Sequence, residues 1–248
     1  MEEYMCNYSE PLDKDGWSEH YNISSLHQVI DSIKDGTVQI WAKELGHIIS
    51  ENESCLEIGC GTGISSLWLA KHNRKACALD YTESSIELVN TAAKELGLTI
   101  NTVVADATKE LPFPDNAFDV IFQSGLLEHF STERQIQLLR GWKRYCRRMV
   151  SIIPNAASLP YRVGKQIMED NKTWEYGLEI PKHSMAKEFL LAGIEVEEEY
   201  SIGSEWALRF LPPRHSLRKM FAKLQRQGID LDCIMQGYLL VTIGRCTN

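Results

Sequence analysis

Four residues spaced two apart place an acid and three glycines in one short segment: Glu57, Gly59, Gly61 and Gly63. Residues 56–63 follow a polar stretch, residues 50–54, and lead directly into residues 64–70, which predicts a strand, a glycine turn and a helix. Glycine lets a ligand lie against bare backbone, and the N–H groups that open a helix point at the polar end of such a ligand. The segment therefore predicts a site for a nucleotide-like ligand.

The spacing of the glycines narrows the class of ligand. A dinucleotide fingerprint, G-x-G-x-x-G, would need a glycine where Ile64 stands, and the G-x-x-x-x-G-K-[ST] phosphate loop is absent from the sequence. Glu57 in the turn disfavours a polyanion lying directly on it and suits a cation such as a sulfonium or an ammonium. An NAD-dependent oxidoreductase remains the rival at the level of the cofactor, and a purely structural glycine turn is the second alternative.

Three more polar residues follow apolar runs further along the chain: Asp80, Asp106 and Gln123. Asp80 lies about 20 residues past the glycines, where a second parallel strand brings a carboxylate to ribose hydroxyls. Because ligands of open α/β sheets bind outside the carboxyl ends of the strands, we expect all three residues to share one edge with Glu57. The alternative for Asp80, starting the next helix, is disfavoured because Thr82 and Ser84 are good caps.

The glycine motif with Asp80, Asp106-Ala107, residues 118–123 and Leu127-Glu128-His129 resembles the class I S-adenosylmethionine-dependent methyltransferases, above all their small-molecule branch. The resemblance covers about residues 40–155 and the pattern of the C-terminal strands. It implies a Rossmann-like, doubly wound α/β sheet that is mostly parallel, has an antiparallel last strand and follows the order 3-2-1-4-5-7-6. It also implies S-adenosyl-L-methionine as cofactor and S-adenosyl-L-homocysteine as product.

The resemblance assigns a cofactor role to several residues. Asp80 would take the ribose hydroxyls, Tyr81 would lie on one adenine face, Asp106 and Ala107 would meet the adenine edge, and Gln123 would stand beside the sulfonium. The expected cofactor-binding set is Glu57, Gly59, Cys60, Gly61, Gly63, Asp80, Tyr81, Asp106, Ala107 and Gln123.

Methyl transfer from a sulfonium is an in-line displacement with an activated donor, so alignment matters most and a base is optional. His129 is the best candidate for a catalytic base; the alternative is that Glu128-His129 only orients the loop. We expect the acceptor site in the N-terminal segment and in the regions outside the sheet. Its candidate residues, which would otherwise only pack a cap on the sheet, are Tyr8, Trp17, His20, Tyr21, Tyr161, Trp174, Tyr176 and His183.

The chemistry of the acceptor is less constrained by the sequence. Aromatic walls with Arg162 or Lys165 nearby would suit an apolar or an anionic acceptor. The N-P-P-[YF] motif of enzymes that methylate DNA amino groups or peptide glutamines is absent after the fourth strand, where Gln123-Ser124-Gly125-Leu126 stands. No metal site is expected.

Length and composition predict one domain over residues 1–248, which the resemblance identifies as a methyltransferase domain. Its expected parts are an N-terminal helical cap (about 1–50), a cofactor-binding core (51–153) and two cap or substrate insertions (154–182 and 202–236). The net charge of −8 disfavours a nucleic-acid partner, and no apolar run reaches the length of a membrane span. Seven cysteines without a C-x-x-C motif favour a cytoplasmic location. We expect a monomer or homodimer acting on a small-molecule acceptor.

Strands are predicted near 54–58, 75–80, 99–104, 118–123, 148–153, 194–200 and 238–243, and helices near 24–35, 38–49, 63–72, 83–96, 132–146, 185–192 and 215–226. Two alternatives to methyl transfer share the cofactor motifs. One is another reaction on the same cofactor, such as intramolecular cyclisation that releases methylthioadenosine. The other is a non-catalytic module that only binds the cofactor.

Overall fold

A seven-stranded sheet organises the chain, whose computed structural model describes residues 12–246. The strands are β1 (Ser54–Ile58), β2 (Lys75–Asp80), β3 (Asn101–Val104), β4 (Phe118–Ser124), β5 (Cys146–Pro154), β6 (Ile194–Ile202) and β7 (Leu239–Cys246). Their order is β3-β2-β1-β4-β5-β7-β6; the first five run parallel and β7 is antiparallel to β5 and β6. The predicted fold class and strand order are confirmed.

Helices cover both faces of this sheet. They are α1 (Lys14–His20), α2 (Leu26–Asp35), α3 (Ile40–Ile48), α4 (Ile64–Lys71), α5 (Glu83–Leu96), α6 (Thr132–Trp142), α7 (Leu159–Asp170), α8 (Ala186–Ala192), α9 (Ser204–Ala207) and α10 (Ser216–Arg226). Alternate residues of β1 face opposite layers: Leu56 packs in a cluster with residues of α6 and α8, and Cys55 packs with residues of α3 and α4. Burial on both faces explains why β1 is apolar along most of its length.

Backbone conformation accounts for the glycines between β1 and α4. Gly59, Gly61 and Gly63 have φ angles of 69°, 51° and 65°, in the left-handed region that favours glycine. The N–H groups of Gly59 and Cys60 both donate to the carbonyl of Leu79, at 2.8 and 3.0 Å, which anchors the turn to the end of β2. The turn therefore leaves β1 at the edge where the strands end.

Several elements differ from the sequence prediction. Residues 14–20, where no helix was predicted, form α1 because the Asp13 side chain accepts from the Gly16 N–H at 2.9 Å and caps the helix. The unpredicted α7 starts with Pro160 in its first turn, where the missing N–H costs no hydrogen bond. The helix predicted to reach residue 146 ends at Trp142, since Cys146 already pairs with β4.

No helix within residues 12–246 is both long enough and apolar enough to cross a membrane.

The turn before α4 makes a stability prediction. A methyl group added at Gly63 would lie 2.2 Å from Val89 Cγ2, whereas one added at Gly97, whose φ is also +65°, would meet nothing within 4 Å. We expect Gly97→Ala to lower the free energy of unfolding by about 1–2 kcal/mol through backbone strain. Gly63→Ala should lower it by about 1–3 kcal/mol more through overpacking.

Urea denaturation of both variants measures this difference. The double variant Gly63→Ala/Val89→Ala should recover the overpacking part and retain the strain. Equal destabilisation by the two single substitutions would contradict the steric argument.

Candidate active site

A cavity of about 660 Å³ opens where β1, β2 and β4 end, a volume within the range of about 300–1,000 Å³ usual for ligand sites. The N-terminal segment, the glycine turn, the loops after β3 and β4, and the start of β7 all contribute to its wall. The wall includes twelve of the predicted site residues: Trp17, Tyr21, Glu57, Gly59, Cys60, Gly61, Asp80, Tyr81, Asp106, Ala107, His129 and Tyr176.

The Asp80 carboxylate ties two turns together at one end of the cavity. Its Oδ2 accepts from the Gly61 N–H at 3.0 Å, and its Oδ1 accepts from the N–H and the hydroxyl of Thr82 at 2.9 and 2.8 Å. Thr82 makes no side-chain capping bond to α5, contrary to expectation, because its hydroxyl is taken by Asp80 and Ser85. Asp80 therefore braces the start of α5 and also faces the cavity.

Glu57 lies beneath the glycine turn and closes the first turn of α4. The N–H and the hydroxyl of Ser66 donate to its Oε2 at 3.0 and 2.6 Å. Burial raises the pKa of Glu57 to about 7, against the opposing effect of the Ser66 hydrogen bonds. The carboxyl group of Glu57 is therefore held in place by the first turn of α4.

Asp106 and Ala107 continue the wall after β3. The backbone N–H and the hydroxyl of Thr108 donate to Asp106 Oδ1 at 2.9 and 2.7 Å, and Lys109 lies 3.1 Å from Oδ2. Burial alone would raise the pKa of Asp106, but these hydrogen bonds and the Lys109 charge lower it. The Ala107 carbonyl accepts from the Trp142 indole at 2.9 Å, which fixes this loop on α6.

Aromatic side chains of the N-terminal segment cover the turn. The rings of Trp17 and Tyr21 stack with their centroids 5.7 Å apart, and the edge of Trp17 meets His129 at 5.1 Å. The Tyr21 ring lies so close to Gly61 that an added methyl group would be 3.1 Å from it. The segment thus covers one side of the cavity.

His129 faces the cavity from the loop after β4. Its Nδ1 lies 2.5 Å from the Leu178 carbonyl and therefore carries the proton of the neutral ring, which leaves Nε2 as the acceptor. Burial lowers the pKa of His129, although the Leu178 and Gly125 backbone groups oppose this effect. This shift favours the neutral ring of His129.

Two buried acids beside His129 are the main feature that the sequence interpretation missed. Glu128, considered only as a loop-orienting residue, is 2% exposed, and Glu179, not considered at all, is 6% exposed; both line the cavity. Burial and repulsion from Glu179 raise the pKa of Glu128 well above its usual value, and burial raises the pKa of Glu179 to about 7. The Tyr161 hydroxyl donates to Glu179.

Several predicted residues lie outside the cavity wall. The Gln123 amide group is used within the loop: its nitrogen donates to Ser151 at 2.7 Å and its oxygen accepts from the N–H groups of Leu126 and Leu127. Gln123 therefore does not line the cavity as expected. The same holds for Gly63, His20, Tyr161, Trp174 and His183, and Tyr8 is outside the described residues.

The expected cations are also absent from the wall. Arg162 is exposed, and Lys165 is paired with Glu169 and lies 4.5 Å from the centroid of the Trp174 ring. Neither of them lines the cavity, so the reason for expecting an anionic acceptor is gone. Within residues 12–246, no group of three or more His, Cys, Asp or Glu side chains is arranged to hold a metal ion.

Comparison with known proteins agrees with the geometry of the turn and the sheet. Residues 55–149 match the family model of a methyltransferase domain. The chain is 24% identical over 177 residues to a ubiquinone biosynthesis O-methyltransferase of Rickettsia akari (strain Hartford), which covers 71% of this chain and 67% of that protein. The chain is therefore similar to the class I S-adenosylmethionine-dependent methyltransferases in sequence and in fold. It spans less than half of the length of several other curated relatives that it matches.

Solved structures share the class I methyltransferase fold. Geranyl diphosphate C-methyltransferase from Streptomyces coelicolor A3(2), in complex with Mg²⁺, geranyl diphosphate and S-adenosyl-L-homocysteine, has a TM-score of 0.59 and 14% identity over 98% of this chain and 92% of that one. The [4+2]-cyclase SpnF has a TM-score of 0.59 and 16% identity over 97% of this chain and 99% of that one. At such identities the likeness concerns the fold alone.

The buried acids predict how stability depends on pH. A carboxyl group whose pKa is raised in the folded state favours folding below its unfolded value, about 4.5, and that contribution is lost as the pH rises through the folded value, about 7 for Glu179. Glu179→Gln should therefore reduce the loss of melting temperature between pH 5.5 and 7.5 by roughly 2–4 °C, equivalent to about 1 kcal/mol.

His129 acts in the opposite direction in the same pH range because its pKa is lowered, so the comparison of variant with wild type is the decisive quantity. Glu95→Gln, which removes an exposed carboxylate outside the cavity, is the matched control. If the melting temperatures of wild type and Glu179→Gln depend on pH in the same way, Glu179 does not cause the loss of stability between pH 5.5 and 7.5.

Proposed function

We propose that this chain transfers a methyl group from S-adenosyl-L-methionine to a small-molecule acceptor that is enclosed in the same cavity. The observation that carries the proposal is that one cavity connects the glycine turn and Asp80 to Trp17, Tyr21 and His129. A ligand at the glycine end and a second ligand at the far end would share one space.

The residues of the glycine end fit the proposed cofactor. Gly59 and Gly61 line the cavity, and side chains in their place would crowd Leu126 and Tyr21, which would lie 3.0 and 3.1 Å from the first added carbon. We assign Asp80 to the ribose hydroxyls, Tyr81 to an adenine face, and Asp106 with Ala107 to the adenine edge. Glu57, Cys60 and Gly63 complete the assignment as residues that shape the turn. When bound, S-adenosyl-L-methionine supplies a methyl group already activated on sulfur.

The contribution of the protein is then mainly to align the reactants and to exclude water, since positioning alone supplies several kcal/mol. Trp17, Tyr21 and Tyr176 are proposed to hold the acceptor. His129 is proposed to remove a proton where the acceptor needs it, because Leu178 fixes the tautomer that leaves Nε2 free to accept.

The name of one relative supports a small acceptor, because that protein is an O-methyltransferase of ubiquinone biosynthesis. The fold alone does not decide the reaction, because the [4+2]-cyclase SpnF shares it. We further propose a monomer or homodimer that acts in the cytoplasm and consists of one domain, with its cap formed by about residues 1–50, 154–182 and 202–236.

Incubation of the protein with deuterium-labelled S-adenosyl-L-methionine and a small-molecule extract of the source cells tests the reaction. We expect, by mass spectrometry, S-adenosyl-L-homocysteine and one new species that is heavier by the labelled methyl group. A Gly61→Val variant, in which the side chain would meet Tyr21, is the matched negative control.

Detection of methylthioadenosine without a labelled acceptor would show that the protein catalyses intramolecular cyclisation and not methyl transfer. Binding without any product would favour a non-catalytic module.

A further inference from the structure

The end of the cavity far from Asp80 is formed around a pair of acids on two separate segments. The Ile180 N–H donates to the Glu128 carbonyl at 2.8 Å, and His129 Nδ1 lies 2.5 Å from the Leu178 carbonyl. These two bonds clamp the loop after β4 to residues 178–180. They hold Glu128 and Glu179 near each other on the same buried wall although the two acids repel.

The fold provides this pair with little positive charge. Among the described residues, Lys14 is the only lysine or arginine in the wall, and it lies at the glycine end, 5.9 Å from the centroid of the Tyr81 ring. Lys165 acts on Glu179 from outside the wall but is paired with Glu169. Residues 1–11 contain no lysine, arginine or histidine. Within residues 12–246, six carboxyl groups line the cavity: Asp13, Glu57, Asp80, Asp106, Glu128 and Glu179.

Glu128 also presents an atom that is ready to meet a ligand. Its Oε2 is buried and has no hydrogen-bond partner within the described part of the chain. A buried acceptor without a partner costs about 1–3 kcal/mol or more when it is charged. A donor that arrives with a ligand would remove this cost, and a positively charged donor would also compensate the pair of acids.

Aromatic rings surround the same space. Tyr21, Tyr176 and Trp17 line it, and both Tyr176 and Glu128 act electrostatically on Tyr21, which places the three close together. The face of an aromatic ring attracts a cation that lies within about 6 Å of its centre. Carboxylates and ring faces together form a site for a cationic nitrogen, whereas a hydroxyl would leave the charge of the acids uncompensated.

We infer that the methyl acceptor is an amine, whose ammonium group is held by Glu128 and Glu179 among Trp17, Tyr21 and Tyr176 and whose nitrogen receives the methyl group. This inference rests on the proposed function, because it names the acceptor of that same site.

The reaction balances without a further reagent. The ammonium first loses one proton to His129 Nε2, the acceptor atom that the Leu178 bond leaves free, while the two acids hold the amine in place. The nitrogen lone pair then forms the new N–C bond, the C–S bond breaks, and its electron pair stays on sulfur. The products are the N-methylated amine, S-adenosyl-L-homocysteine and one proton.

A binding experiment with matched probes tests the inference apart from turnover. The protein, saturated with S-adenosyl-L-homocysteine, is titrated with 2-phenylethylamine, 2-phenylethanol and phenylacetate, and with the corresponding amine, alcohol and acid of longer aliphatic chains. We expect the amines to bind about tenfold or more tightly than their matched alcohols, the ratio for one hydrogen bond to a charged group, and the acids to bind least.

Glu128→Gln and Glu179→Gln keep the shape of the side chains and should each reduce the preference for amines by about tenfold, while Glu95→Gln should leave it intact. An alcohol or acid that binds as well as its amine, or no preference in any matched set, overturns the inference. Should a variant fail to fold, the preference of the wild-type protein still decides.

The preceding saturation step separates the two claims. Failure of S-adenosyl-L-homocysteine to bind would defeat the proposed function itself. Its binding without a preference for amines would defeat only the identity of the acceptor.

Discussion

The carboxylate of Asp80 is the constraint on which the cavity depends. It accepts hydrogen bonds from Gly61 and Thr82, so one side chain fixes both the turn that follows β1 and the start of α5. The glycine turn has no regular hydrogen-bond ladder of its own, and its positive φ angles are kept by this carboxylate and by the Leu79 carbonyl. Asp80 also lines the cavity. The group that would bind a nucleoside thus also holds the ligand-binding backbone in place.

At the far end of the cavity, by contrast, the residues proposed to bind a ligand lower the stability of the fold. Glu128 and Glu179 are buried close to each other, and burial with mutual repulsion shifts the pKa of Glu128 upward. This arrangement lowers the stability of the unliganded fold, because buried carboxylates without full compensation are costly. The Tyr161 hydroxyl and the nearby Lys165 relieve Glu179 in part. Residues that weaken a fold in this way are those whose arrangement a ligand completes.

Local patterns in the sequence were sufficient to predict the strands of the sheet and the residues at the glycine end of the cavity. Alternating apolar runs and turn residues predicted the strands, and the spacing of Glu57, the glycines and Asp80 placed them at one edge because parallel strands end together. The acceptor end could not be predicted in the same way. Glu179 lies in a segment without periodicity, and only its bonds to the loop after β4 bring it to the cavity. Gln123 was misassigned because nothing in the sequence indicates that its amide group is used by Ser151 and the following loop.

Calorimetric titration of S-adenosyl-L-homocysteine, with NADH as the rival ligand, tests the central claim most directly when wild type is compared with Asp80→Ala. We expect the wild-type protein to bind S-adenosyl-L-homocysteine and not NADH. Asp80→Ala should weaken binding by about 1–3 kcal/mol, the cost of leaving polar partners unpaired. A melting curve of the variant separates loss of binding from loss of folding. Unchanged affinity in a folded Asp80→Ala protein would remove Asp80 from the ligand site. Preferential binding of NADH would contradict the assignment of S-adenosyl-L-methionine as the cofactor.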